Sequence, residues 1–360
     1  MKRIFVSDCE GPISKNDNAF ELTTHFVPNG DMLFTVISRY DDVLADIVKR
    51  PGYKAGDTLK LILPFLKAYG VTDQKMRKFS AQSLVLIPRI IETLQHIGSI
   101  ASAFVVSTSY EHYIRALCQA VGLPPENAYS TKVNLDKYSI TEEETKTLKH
   151  IAEEIAHMPI IEIPHRTKAL AGLTSEDQET IKRLDEIFWK EITCTDCGRM
   201  FSEINPVGGK EKVAAIEDIV QKVSASLADV MYVGDSITDE EAFKLVRENG
   251  GLTVSFNGNY YAVGNAEVAI MSENSVATAV IADMFLRHGK QQTLRLVENW
   301  GGKALSKSLV DSTLLERLSV LYPMELPKVK IITGKNMEAL AKESSEFRKK
   351  VRGEAIGRLG

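Results

Sequence analysis

The stretch IFVSDCEGP, residues 4–12, runs from a short apolar segment straight into acidic residues, and VMYVGDSITD, residues 230–239, does the same. Near-continuous apolar runs are typical of strands that are covered on both faces of a parallel sheet. The carboxyl ends of parallel strands meet at one sheet edge, so the acids that follow the two runs are expected to lie together. These acids are Asp8, Glu10, Asp235 and Asp239. Crowded carboxylates repel unless a hard cation holds them, so the sequence predicts a Mg2+ site for phosphate chemistry.

The remaining pattern predicts an α/β fold with a doubly wound, mostly parallel, Rossmann-like core. Short apolar runs bounded by Gly, Ser or acid predict strands over residues 3–7, 102–107, 229–233 and 251–256. Helical periodicity between them predicts helices over residues 87–97, 210–220 and 240–247. In such a fold, the active site is expected outside the carboxyl ends of the strands.

Two segments interrupt this alternation and are too long for ordinary loops, which span about 2 to 6 residues. Residues 14–83 predict a helical cap insertion, and residues 131–204 predict a second, α+β cap insertion. The second contains predicted helices at 142–157 and 175–189, the latter capped by Thr174 or Ser175, and a strand-like run at 160–163. The α/β core then comprises residues 1–13, 84–130 and 205–290, followed by a C-terminal helical extension at 291–360 whose charged helix, 338–352, offers a contact for a protein partner.

Composition narrows the functional class. The chain has 360 residues, of which 44% are hydrophobic and 26% charged, and a formal charge of -4 that offers no basic field for nucleic acid. Neither a signal-peptide pattern nor a run of about 20 apolar residues occurs, which predicts a cytoplasmic protein without membrane insertion. Four cysteines fit a reducing compartment. Cys194 and Cys197 have the spacing of half a zinc site, and His150, His157 and His165 leave that possibility open.

Four segments, in chain order, resemble the four motifs of the haloacid dehalogenase (HAD) superfamily, whose members are mostly phosphatases and phosphotransferases. They are FVSDCEGP (5–12), FVVSTS (104–109), GGKEKVAAI (208–216) and VMYVGDSITDEEAF (230–243). The motif-bearing core covers about half of the chain. The resemblance implies that Asp8 is the nucleophile, forming an aspartyl-phosphate, and that Glu10 is the general acid and base. Glu10 departs from the commoner aspartate, yet D-x-E-G also occurs in enolase-phosphatases and in relatives resembling phosphoserine phosphatase.

The resemblance also implies residues that bind phosphate. Ser107 would donate its hydroxyl, helped by backbone N–H groups from Thr108 onward, and Gly11 would permit a tight chain exit beside the phosphate. Lys210 and Lys212 compete as the phosphate-neutralising cation. Helical register favours Lys212, because the residues at i+3, i+4 and i+7 from it are Ala215, Ile216 and Ile219.

For the metal, the resemblance implies that Asp235 binds Mg2+ directly, together with a carboxylate oxygen of Asp8 and the backbone carbonyl of Glu10. Asp239 would assist through water or Lys212. Ser236 and Thr238 have the alternative role of capping the following helix.

The leading interpretation is a Mg2+-dependent phosphatase for a small phosphorylated metabolite, since two caps would exclude macromolecular substrates. One alternative is a phosphotransferase of the same mechanism. Another is a HAD-like accessory or regulatory subunit, because the chain also resembles archaeal HAD-like proteins labelled as the R subunit of energy-converting hydrogenase A. The charged segment at residues 39–42 could recognise a substrate carboxylate, but such a run is more typical of a solvated helix face.

Overall fold

A computed structural model describes residues 3–164, 167–357 and 359. Its centre is a seven-stranded sheet in the order β3-β2-β1-β4-β5-β6-β7, parallel throughout except that β7 runs antiparallel to β6. The predicted α/β fold, with a doubly wound and mostly parallel Rossmann-like sheet, is therefore confirmed. The strands are β1 (Ile4–Ser7), β2 (Ser102–Tyr110), β3 (Ala128–Thr131), β4 (Val230–Gly234), β5 (Leu252–Phe256), β6 (Val268–Met271) and β7 (Lys328–Ile331).

Helices cover both faces of the sheet and build the insertions. In the first half of the chain they are α1 (Asn18–Phe26), α2 (Gly30–Asp42), α3 (Thr58–Ala68), α4 (Asp73–Ser83), α5 (Ile90–Ile100), α6 (Glu111–Val121), α7 (Glu142–Ala156) and α8 (Ser175–Glu186). In the second half they are α9 (Met200–Glu203), α10 (Lys210–Val223), α11 (Glu240–Glu248), α12 (Tyr260–Asn265), α13 (Val276–His288), α14 (Lys290–Glu298), α15 (Gly302–Leu305), α16 (Ser312–Leu321), α17 (Met337–Arg352) and α18 (Glu354–Gly357). None of the described helices is both long enough and apolar enough to cross a membrane.

Strand β1 shows how the sequence alternation builds two helical layers. Successive side chains of a strand point to opposite faces. Phe5 joins the apolar cluster beneath α5, α6 and α13, whereas Ile4 and Val6 join the cluster beneath α10 and α11. Both neighbours of β1 are parallel to it, with Ser7 paired to Val105 on one side and to Val233 on the other. The chain segments that leave β1 and β4 therefore emerge side by side.

The two insertions, residues 14–83 and 131–204, share one hydrophobic cluster and are together called the cap below. Phe188, which is fully buried, stacks on Tyr40 at a ring-centroid distance of 5.8 Å and meets Phe65 edge-on at 6.2 Å. Tyr40 and Phe65 belong to the first insertion, and Phe188 belongs to the second. The insertions thus complete each other's core.

The strand predicted at residues 160–163 is wrong. This segment is irregular: Ile161 is buried in the cap cluster, and the Glu162 N–H donates to Asp177 Oδ1 at 3.1 Å instead of to a neighbouring strand. A short apolar run that is buried against helices has the same sequence pattern as a buried strand. Thr174 caps α8 as predicted, because its side chain accepts the Asp177 N–H.

The region after residue 290, predicted to be helical, also contains β7, the antiparallel edge strand of the core sheet. The described part of the chain contains one cluster able to hold a metal ion, and Cys194 and Cys197 do not belong to it. Cys194 is exposed and Cys197 is buried. His165, one of the histidines considered as a partner for these cysteines, lies outside the described residues.

We predict that Phe188→Ala destabilises both insertions together. Removing a buried phenylalanine typically costs about 3–5 kcal/mol of unfolding free energy. Urea denaturation should show a loss of this size, and hydrogen exchange should accelerate in α2 and α3 as well as in α8, while β1 and β4 stay protected. Val320→Ala, at a side chain that is 72% exposed, is the matched control. Faster exchange confined to residues 131–204 would contradict a shared core.

Candidate active site

Asp8 directly follows β1 and stays tied to the sheet. Its backbone N–H donates to Val233 O at 2.8 Å, and its Oδ1 accepts the Cys9 N–H at 2.6 Å. Gly11 then turns with φ +103°. A Cβ added at Gly11 would lie 2.0 Å from Asp235 Oδ2, so glycine is required for the chain to pass this close to Asp235.

Lys212 lies in the first turn of α10 and is fully buried. Its Nζ is 2.9 Å from Asp8 Oδ2 and 2.7 Å from Asp239 Oδ1. The helix is held in this register by its buried apolar face of Ala215, Ile216 and Ile219. A buried ammonium needs such paired, hydrogen-bonded carboxylates, because an isolated buried charge is very costly.

Lys210, the competing lysine, is exposed. It lines a neighbouring cavity beside Lys54 and Glu211 and is absent from the lining of the cavity that contains Asp8. Lys210 precedes Lys212 by two positions, which corresponds to a rotation of about 200° around an α-helix, so its side chain lies on another side of the helix start.

Asp239 is engaged on both carboxylate oxygens. Oδ1 accepts from Lys212 and from Tyr232 Oη at 2.6 Å, and Oδ2 accepts the N–H groups of Asp235 and Ser236 at 2.9 and 3.0 Å. Burial acts to raise the pKa of the Asp239 carboxyl, but Lys212 and these donors outweigh it and hold the pKa below the ordinary value. Asp239 therefore fixes both the lysine and the loop that carries Asp235.

The carboxylates of Asp8, Asp235 and Asp239 each offer an oxygen within 4.8 Å of the others. Asp235 Oδ1 is buried and accepts no hydrogen bond from any described residue. An unsatisfied buried carboxylate oxygen is destabilising, and a divalent cation would satisfy it. Burial, with smaller contributions from Asp239 and Asp235, raises the pKa of Asp8 to about 7 in spite of Lys212. Hard carboxylate oxygens of this kind fit Mg2+.

Ser107 and Thr108 lie near the carboxyl end of β2 and line the same cavity as Asp8. Ser107 is buried, and its Oγ accepts the Ser109 N–H at 3.2 Å. Thr108 Oγ1 donates to Val207 O at 3.1 Å, which ties β2 to the segment that precedes Lys212. The order of the sheet, with β2 next to β1, thus brings a hydroxyl and backbone groups to the cavity that contains Asp8.

Glu10 lies in the same cavity and faces the start of the cap. Its Oε1 accepts the N–H of Asn18, the first residue of α1, at 2.7 Å. Burial raises the pKa of Glu10 well above its ordinary value, and the neighbouring carboxylate of Asp17 adds to the rise. A raised pKa favours the protonated carboxyl group, which is the form that a general acid requires.

The cavity itself is small, about 100 Å³, and lies between core and cap. On the core side, its lining includes Asp8, Glu10, Ser107, Thr108 and Asp235. Tyr110 Oη donates to Leu59 O at 2.6 Å, which holds the cap against β2. The cap residues in the lining include Phe34, Ser38, Gly56 and Leu59. A site of this size admits a small molecule and excludes a macromolecule.

Residues 39–42 do not form the solvated face expected from their charges. Asp41 and Asp42 are buried at 4% and 5% exposure and line the cavity. Asp41 accepts from Tyr53 Oη at 2.6 Å and from the Thr58 N–H at 3.1 Å, and Asp42 pairs with Arg39 at 3.1 Å. These acids hold the cap together.

Two functional candidates were missed from the sequence, Arg348 and Arg352 on α17. Both guanidinium groups contact Asp235 Oδ2, with Arg352 Nη1 at 3.1 Å, and both side chains are 4% exposed. The signal lay in helical register, because Arg348 continues the narrow buried face of Leu340, Ala341 and Ser344, and Arg352 follows four residues later. An arginine on a buried stripe is a candidate for an ion pair inside the protein.

Comparison with known proteins identifies a family and solved structures with a similar fold. Residues 87–283, which include Ser107, Lys212 and Asp235, match the family model described as haloacid dehalogenase-like hydrolase. The structure of gene product AF1437 from Archaeoglobus fulgidus superposes with a TM-score of 0.81 at 25% identity, covering 100% of this chain and 99% of that one. A search of curated proteins returned no match.

Two more distant structures share 12% identity with the chain. A phosphoserine phosphatase in apo form has a TM-score of 0.42, covering 81% of this chain and 100% of that one. A phosphoserine phosphohydrolase-like protein from Francisella tularensis has a TM-score of 0.44, covering 78% and 98%.

The family match extends over more than half of the 360 residues and contains three of the four motifs recognised in the sequence. The chain belongs to the haloacid dehalogenase-like hydrolases.

Proposed function

We propose that this protein is a Mg2+-dependent phosphatase that hydrolyses a small phosphate monoester through an aspartyl-phosphate on Asp8. The observation that carries the proposal is the buried position of Lys212 between Asp8 and Asp239, where Asp8 and Ser107 line a cavity of about 100 Å³. Burying a lysine ammonium at hydrogen-bond distance from the candidate nucleophile costs desolvation free energy, which makes a purely structural role for it unfavourable. It suits a site in which a phosphate dianion must approach a carboxylate.

In the first step, an Asp8 carboxylate oxygen attacks phosphorus and the bond from phosphorus to the ester oxygen breaks. Glu10 gives its proton to the departing oxygen, which leaves as an alcohol. Lys212 and the Ser107 hydroxyl contact the phosphoryl oxygens and stabilise the charge that they carry in the transition state. In the second step, Glu10 takes a proton from water, the water oxygen attacks phosphorus, and phosphate departs from a regenerated Asp8.

Asp8, Asp235 and the Glu10 carbonyl would hold Mg2+, which lowers the repulsion between the phosphate and the Asp8 carboxylate. Asp239 would act on the site through Lys212 and through the two backbone N–H groups it binds. The cap would exclude bulk water and select the leaving group. The accessory-subunit hypothesis, including the hydrogenase resemblance, stays a prediction that the same assays test.

Hydrolysis of p-nitrophenyl phosphate should require Mg2+ and disappear in excess chelator, because the metal offsets the repulsion between phosphate and Asp8. Activity should return when Mg2+ is added back. Asp235→Asn should raise the Mg2+ concentration needed for half-maximal rate. Full activity in chelator would refute the metal assignment, and a folded protein that hydrolyses no ester would favour the accessory-subunit hypothesis.

Asp8→Asn should abolish turnover and leave the fold intact, since it deletes the nucleophile with almost no change of volume. Wild-type protein quenched during turnover of a 32P-labelled ester should carry hydroxylamine-sensitive label, and Asp8→Asn should carry none. Asp31→Asn removes an exposed carboxylate from the cap and serves as the matched control. Equal labelling of wild type and Asp8→Asn would assign the nucleophile to another residue.

Glu10→Gln should slow hydrolysis of alkyl phosphates roughly 10²- to 10⁴-fold, because a poor leaving group needs the proton. Aryl phosphates, whose leaving oxygen is a better leaving group, should lose much less. Glu10→Asp keeps the proton with a shorter reach and should fall between wild type and Glu10→Gln. If Glu10→Gln matched wild type on an alkyl phosphate, the general acid would have to be another group.

A further inference from the structure

Helix α17 is firmly fixed against the core. Leu340 and Ala341 pack on Val263 and Met271, and Ser344 Oγ donates to Gly258 O at 2.7 Å. Near its end, Arg352 Nε donates to Lys15 O at 3.0 Å, and its Nη2 contacts Asn16 O. With Nη1 on Asp235, all three nitrogens of Arg352 are engaged. Arg352 therefore positions the helix end against the segment that leads from Asp8 into the cap.

Arg348 is engaged differently. Its Nη1 contacts Asp235, and its Nη2 makes a long 3.4 Å contact with Leu359 O. Arg348 lines the cavity and is only 3% exposed. Its Nε is buried and has no acceptor among the described residues. A buried charged donor without an acceptor is destabilising. An incoming acceptor would relieve this cost.

The neighbouring carboxylates do not satisfy every donor of Arg348. Arg348 and Arg352 share one carboxylate oxygen of Asp235, and Asp17 is a further acidic neighbour of both guanidinium groups. Neither carboxylate accepts a hydrogen bond from Arg348 Nε, so this donor still lacks an acceptor.

The acids of the cavity wall do not offer an alternative specificity site. Asp17 caps α1 by accepting the Phe20 N–H at 3.0 Å, and Asp41 and Asp42 have the internal partners described above. These side chains are already used by the cap. Arg348, by contrast, has one N–H donor, at Nε, without an acceptor among the described residues.

We propose that Arg348 binds a second anionic group of the substrate, which makes the substrate class a small phosphate monoester that also carries a carboxylate. This inference rests on the proposed phosphatase function and specifies its substrate. A planar guanidinium fork matches a carboxylate or a phosphate. The cavity of about 100 Å³ favours the smaller of these two groups. Arg352 acts as a positioning residue that holds α17 in place.

The test compares two probes that differ at one group, 2-phosphoglycolate and ethyl phosphate, in which a methyl replaces the carboxylate. Wild type should favour 2-phosphoglycolate in kcat/KM by about 10- to 100-fold, the size expected for one or two charged hydrogen bonds. In Arg348→Gln this preference should fall below threefold. The ratio cancels any general damage from the lost contact with Asp235, because that damage affects both probes.

Lys350→Gln is the matched control, because it removes one positive charge from the same helix at an exposed pair with Glu273, 2.7 Å apart. Its preference should equal that of wild type. A third probe, ethylene glycol bisphosphate, distinguishes a second phosphate from a carboxylate. If it is preferred over 2-phosphoglycolate, the carboxylate assignment is overturned.

A binding measurement keeps the inference separate from the phosphatase proposal. Calorimetric titration of Asp8→Asn with the two original probes should show tighter binding of 2-phosphoglycolate by a similar factor, lost when Arg348→Gln is added. If wild type hydrolyses nothing but this binding difference appears, the phosphatase proposal fails and the anion site stands. If hydrolysis occurs with an equal preference in wild type and Arg348→Gln, the phosphatase proposal stands and Arg348 is only a partner of Asp235.

Discussion

The buried ion pair of Lys212 with Asp8 and Asp239 is the interaction on which the rest of the site depends. It joins the ends of β1 and β4 to the first turn of α10, so three separate chain segments have one permitted arrangement. Removing one partner from such a cluster leaves an uncompensated buried charge, at a cost of about 3–5 kcal/mol. Tyr232 and two backbone N–H groups donate the remaining hydrogen bonds to the Asp239 carboxylate. The sheet therefore serves as the rigid support for a buried charge cluster, of which Asp8 lines the cavity.

Much of the core could be predicted because its determinants are local. The apolar runs at β1 and β4 and the acids after them specify two strands and the edge where they end. Helical register alone distinguished Lys212 from Lys210, since the buried face of α10 is continuous in sequence. Strands β3 and β6, of four residues each, have no comparably clear signal in the sequence. Short runs bounded by ordinary residues carry little periodicity.

The contribution of α17 could not be predicted in the same way, because it depends on a contact between distant segments. Helix periodicity located this helix within one residue at its start, yet nothing local indicates that Arg348 and Arg352 meet Asp235.

Burial of charge in the cap was also not predictable from local sequence. Asp41 and Asp42 look like surface charges in the sequence, and only the apposition of the two insertions buries them. Burial of charge is decided by tertiary partners, which sequence spacing does not reveal.

The bond from Arg352 to Lys15 spans 337 residues. During synthesis, the strand that carries Asp8 emerges early, whereas α17 emerges only after the sheet, the cap and α13 to α16 have been made. Contacts between such distant segments form late, because the entropy of closing the intervening chain must be overcome first. Until α17 docks, the carboxylate of Asp235 would face water without its two arginines. A partly synthesised chain can thus hold a folded sheet and still lack a finished pocket, which couples completion of the site to completion of the fold.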